Sequence, residues 1–122
     1  MLCVAAEENA LLRQLAAVLA TGNRPVLFDT AWSHGVAALL PPELAAQIEF
    51  RSCLAFSGLA GVLLASDDPS LPVSVAAEDG PLIPVFMASA EGYPLYRMLV
   101  ECVVSINTTA AGGNTTLMTL GA

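Results

Sequence analysis

His34 is the only histidine of the chain, and it stands directly after Trp32 and Ser33. A serine nucleophile would need this imidazole as its base and an acid to orient it. The Gly-x-Ser-x-Gly elbow that exposes such a serine is absent. The sequence therefore favours an exposed or locally bonded histidine. Cys53 would act as a nucleophile only if a base or a helix N-terminus lowered its pKa. Its neighbours Leu54, Ala55 and Phe56 point instead to core packing, which is also the expectation for Cys3 and Cys102. Asp67 and Asp68 follow an apolar run and precede a helical one; paired acids there could bind a metal. In dinucleotide-binding sheets the same place meets a pyrophosphate, which two carboxylates would repel. A helix N-cap is the favoured role for this pair. Gly112-Gly113-Asn114 lacks the lysine of a phosphate loop and reads as a hairpin turn.

The elements that would carry these residues alternate in period. Residues 2–6 form a short buried strand. From Ala10 the apolar positions Leu11, Leu15 and Val18 recur at helical spacing, with Glu7 and Glu8 at the positive end and Gly22-Asn23 at the stop. Residues 25–28 make a second strand, so the chain opens as strand, helix, strand, the pattern of a parallel crossover. Residues 31–40 suit a short helix stopped by Pro41-Pro42. Residues 44–50 fit either a helix end or a third strand. Residues 61–65 are a buried strand. A helix runs from Pro69 to about Glu78, and residues 82–86 form a strand that Pro84 pushes towards an edge. Tyr93 to Glu101 reads as a last helix. Residues 103–107 and 115–120 read as strands around Gly112-Gly113.

The 122 residues carry a net charge of −7 and no lysine; the cations are Arg13, Arg24, Arg51 and Arg97. Four scattered arginines against eleven acids argue against nucleic acid and against an anionic membrane surface. Charged residues make up only 12% of the chain, about half the usual share, which suggests contact with other protein. Three widely spaced cysteines without a Cys-x-x-Cys pair speak against zinc and for a reducing, cytoplasmic setting. The start has no basic n-region, so no signal peptide is expected. Residues 105–121 hold no charge and are rich in Thr and Asn. A tail of this kind is expected to pack against another surface, through Ser105, Asn107, Thr109, Gly112, Gly113, Asn114, Leu117 and Met118.

Two segments carry a resemblance. Residues 15–23, followed by a strand, look like the first helix and second strand of an aldehyde dehydrogenase NAD-binding domain. Ser105-Ile-Asn-Thr-Thr-Ala-Ala-Gly-Gly-Asn114, continuing through Leu117-Met118-Thr119, resembles the C-terminal motif of the bacterial bifunctional proline catabolic flavoenzymes, the proline utilization A family. Gly80-Pro81-Leu-Ile-Pro84 and Tyr93-Pro94-Leu95 look like the segment leading to it.

The resemblance implies a parent oxidoreductase that oxidises proline with FAD and then glutamate semialdehyde with NAD. It further implies that this chain is the parent's additional C-terminal domain, of aldehyde dehydrogenase-like fold and no catalytic role. That domain packs on the dehydrogenase domain, and its terminal motif helps close the tunnel that passes the intermediate. Departures from a working aldehyde dehydrogenase agree. Phe28-Asp29-Thr30 stands where the cofactor lysine would be, and Ser66-Asp67-Asp68 replaces the Gly-Ser that meets the pyrophosphate. Cys102 stands where a polar or charged residue is expected.

The expectation is a three-layer, Rossmann-like α/β fold with a mostly parallel sheet and a C-terminal β-hairpin or extended flap. Residues 1–102 would form the body and 103–122 the tail. The chain would bind no cofactor or metal and hold no catalytic residue. Its partner would be the dehydrogenase domain of the same polypeptide, with self-association also open. A small nucleotide-binding protein of Rossmann type and a stand-alone dimerisation module are the rival readings.

Overall fold

The computed structural model describes residues 1–53, 55–65 and 70–99. In chain order these form β1 (Leu2–Val4), α1 (Glu8–Ala20), β2 (Val26–Phe28), α2 (Ala31–Ala37) and α3 (Pro42–Ala45). There follow β3 (Glu49–Arg51), β4 (Val62–Leu64), α4 (Ser70–Ala76), β5 (Val85–Met87) and α5 (Leu95–Met98). The strands lie in the order β3-β2-β1-β4-β5, and every neighbouring pair is parallel. The Rossmann-like α/β expectation holds, and among the described residues the five strands are all parallel. The expected terminal hairpin falls on residues outside those described.

Alternation along each strand sorts side chains to two apolar layers. On one face Cys3, Leu27, Leu63 and Phe86 pack with Leu11, Leu15 and Val18 of α1, Val36 and Ala37 of α2, and Met98 of α5. On the other, Leu2, Val26, Val62 and Leu64 pack with Val75 of α4 and with Phe56. Three helices thus cover one face and α4 the opposite one. A side chain at position 61, where the chain enters β4, would place its Cβ 2.8 Å from the Phe86 ring and 3.3 Å from Pro84 O. Gly61 is what allows β4 and β5 to approach there.

Local chemistry sets the boundaries. Helix α1 ends where Gly22 takes φ +70°, with Gly22 N–H donating to Leu19 O and Asn23 N–H to Val18 O. These two bonds form a Schellman cap at the expected Gly22-Asn23 stop. Helix α2 stops at Ala37, ahead of Pro41-Pro42, and Pro42 instead opens the one-turn helix α3. The ambiguous stretch 44–50 therefore divides between the end of α3 and the start of β3. Strand β5 begins just past Pro84 and is an edge strand, as that proline suggested.

Candidate functional site

From β1 the chain turns one way through β2 to β3, then returns to place β4 on the other side of β1. In open parallel sheets this switch point opens a crevice at the carboxyl ends of the strands, where ligands bind. Here that crevice holds about 390 Å³ and is lined by Val4, Ala5, Ala6, Glu7, Ala10 and Ala65. The β1–α1 turn is Ala5-Ala6-Glu7, with no glycine to let a phosphate meet the backbone. Glu7 is the N-cap residue of α1 but makes no side-chain capping bond, and Glu8 follows in the first turn. The positive end of the helix is thus matched by the protein's own carboxylates, in the place where a pyrophosphate would otherwise sit.

At the end of β2, Asp29 donates its N–H to Arg51 O on β3. One of its carboxylate oxygens lies 2.8 Å from His34 Nε2, and both side chains are about half exposed (50% and 52%). The His34 ring also stacks on Phe50 at 3.9 Å. This is the locally bonded, exposed histidine that the sequence favoured. Ser33 does not join it. Its N–H donates to Thr30 Oγ1 and its hydroxyl accepts from Thr30 N–H, a capping box that opens α2. The same hydroxyl donates to Phe28 O, and Ser33 is buried. A buried, fully bonded hydroxyl beside a half-exposed Asp–His pair is not the geometry of an activated nucleophile.

The cysteines divide. Cys3 is buried in the sheet, and burial pushes its thiol up to about 12. Cys53 is exposed, which corrects the expectation that it packs in the core. The cause is local. Just past edge strand β3 the Arg51 guanidinium donates to Ala55 O and Ser57 O, holding the segment in a turn in which Phe56 alone among the described residues is buried. Among the described residues no three His, Cys, Asp or Glu side chains gather as a metal site. Cys102, Asp67, Asp68 and the tail positions Ser105, Asn107, Thr109, Gly112, Gly113, Asn114, Leu117 and Met118 lie outside the described residues.

The sequence reading missed the polar group at the centre of this edge. Gln14 is fully buried under α1; its Nε2 donates to Val4 O (2.9 Å), Leu63 O (3.2 Å) and Tyr93 Oη (2.9 Å). Tyr93 Oη in turn donates to Leu64 O at 2.9 Å. Burial raises the Tyr93 phenol, opposed by the Gln14 bond. Gln14 Oε1 is buried without a partner among the described residues. At the opposite edge Asn23 Nδ2 donates to Met98 O at 2.9 Å. The segment 93–98 is therefore pinned at both ends of the sheet, running from the crevice edge to the amino edge. The signal for Gln14 was its position: 11, 14, 15 and 18 form one helical stripe, and a polar residue in that stripe needs buried partners.

No family model matches the chain. Among curated proteins it is 36% identical over 130 residues to the bifunctional protein PutA of Salmonella typhimurium, covering 99% of this chain and 10% of that protein. It is 34% identical over 133 residues to the bifunctional protein PutA of Escherichia coli K12, again over 99% of this chain and 10% of the relative. The PutA of Rhizobium meliloti is 34% identical over 132 residues, 11% of its length. The chain spans about a tenth of the length of the relatives it matches, and along nearly all of its own length it is similar to one segment of bifunctional PutA proteins.

Proposed function

We propose that this chain is a non-catalytic interaction domain of a PutA-type bifunctional protein. The observation that carries this reading is the similarity of 34–36% along 99% of the chain to a segment amounting to about a tenth of PutA proteins. The parent would be a cytoplasmic oxidoreductase that oxidises proline with FAD and glutamate semialdehyde with NAD. The chain itself would hold neither cofactor. Residues 1–102 would form the body, and the uncharged tail 103–122 would pack on the dehydrogenase domain and help close the tunnel between the two active sites. The paired Asp29–His34, the spent Ser33 hydroxyl and the glutamates at the α1 N-terminus support a role in contact rather than chemistry.

The test is deletion of residues 105–121 from the full-length parent. Flavin reduction by proline should be unchanged, while glutamate semialdehyde escapes and NADH appears only after a lag. No lag together with an unchanged oligomeric mass would sink the covering role.

A second reading rests on the strand order, which is that of dinucleotide-binding sheets. Calorimetric titration of the chain with NAD separates the two. No saturable heat at micromolar NAD is expected, because the crevice presents Glu7 in place of a glycine turn and Asp29 caps the next strand. Saturable micromolar binding would favour the second reading.

A further inference from the structure

A second cavity, of about 200 Å³, lies between the carboxyl ends of β1 and β2, under the first turns of α1 and α2. Cys3, Ala5, Leu11, Leu27, Phe28 and Trp32 form most of its wall. Among the described residues no charged one lines it. Its two hydroxyls, those of Thr30 and Ser33, are already used on each other and on Phe28 O. With those hydroxyls engaged, the wall offers a ligand mainly apolar contact. A cavity of about 150 Å³ with similar walls accommodates benzene, so this one has room for one ring or two fused rings. Trp32, 43% exposed, supplies a flat aromatic wall towards solvent. The cavity shares Val4 and Ala5 with the crevice that contains Glu7, so a ligand bearing an anionic group towards that opening meets a carboxylate.

We propose that this slot binds a small, uncharged, flat aromatic group of one or two rings, stacked on Trp32. The role is independent of the one proposed above, because it uses neither the tail nor a partner domain. Stacking and apolar burial provide the attraction, and the Cys3 sulfur adds a soft contact with the ring. Glu7 at the neighbouring opening selects against anions.

Trp32 is the only tryptophan of the chain, so its emission reports on the slot alone. The full 122-residue chain would be titrated with toluene, and with benzoate as the charged counterpart. Toluene should shift Trp32 emission and the Leu11 and Leu27 methyl resonances saturably, with a dissociation constant of about 1 mM or below. Benzoate should bind at least about tenfold more weakly, the factor expected of one unfavourable charge contact. Ala5→Leu fills the slot from the β1 side and Leu11→Phe fills it from α1; either variant that keeps a cooperative melting transition should lose the toluene response. A non-saturating response, an equal response in a folded slot-filling variant, or benzoate binding as tightly as toluene would overturn the proposal.

Discussion

Gln14→Ala should lower the unfolding free energy by about 3 kcal/mol, read from urea midpoints at constant slope. Two effects add. Removing a fully buried side chain leaves a cavity under α1, and large-to-small changes at such sites cost roughly 2–5 kcal/mol. The change also removes one donor from Leu63 O and one from Val4 O, which still accepts from Ala65 N–H, and losing such bonds costs roughly 0.5–1.5 kcal/mol each. Gln14→Leu separates the two, since it restores apolar volume without restoring a donor; about half of the loss should remain. Tyr93→Phe removes only the bond to Leu64 O and the acceptor for Gln14, so about 1 kcal/mol is expected. A Gln14→Ala midpoint within experimental error of the parent would show that the network is not what joins α1 to the carboxyl edge.

Alkaline pH should destabilise the fold well before arginine titrates. Burial pushes the Cys3 thiol from its ordinary 9.0 up to about 12. Below pH 9 the thiol is protonated in both the folded and the unfolded chain, and its contribution is constant. Between pH 9 and 12 the unfolded chain releases the proton while the folded chain keeps it. Stability then falls by about 1.4 kcal/mol per pH unit, to a total of about 4 kcal/mol. Tyr93, also raised by burial, acts in the same direction at higher pH. Cys3→Ala should start from lower stability but show a flatter alkaline limb, so the two curves converge as pH rises. Parallel curves from pH 8 to 11 would contradict this. Iodoacetamide at pH 8 gives a further check: Cys53 should be modified in the folded protein, and Cys3 only after unfolding.

The strands and helices that bury a single face or a continuous apolar run were the legible part of the sequence. The period change at Ala10, the Gly22-Asn23 stop and the runs at 25–28 and 61–65 each correspond to an element whose local preference and tertiary environment agree. Pro84 marked an edge because a missing N–H is tolerated only there. Pro41-Pro42 marked the stop after α2, and the ambiguity at residues 44–50 arose because Pro42 also starts the next helix. Cys53 misled because an apolar neighbourhood in sequence is not burial. The Arg51 side chain turns the segment outward through two carbonyls, and no sequence periodicity encodes such a contact. That Ala5-Ala6-Glu7 holds no glycine gains meaning only from the strand order, which places this turn at the crevice. The buried Gln14–Tyr93 pair joins positions 79 apart, and only its place in the helical stripe hinted at it.

The bonds at the amino edge of the sheet also bear on how the body can be attached to other chains. The Met1 amino group donates to Arg24 O, and Asn23 Nδ2 donates to Met98 O. Residues 1 and 98 are therefore anchored to adjacent positions, within roughly three residue lengths of each other. The start of β1 and the end of α5 thus share one corner of the sheet. A fusion or label placed at that corner would leave the Glu7 crevice, at the far pole, unobstructed.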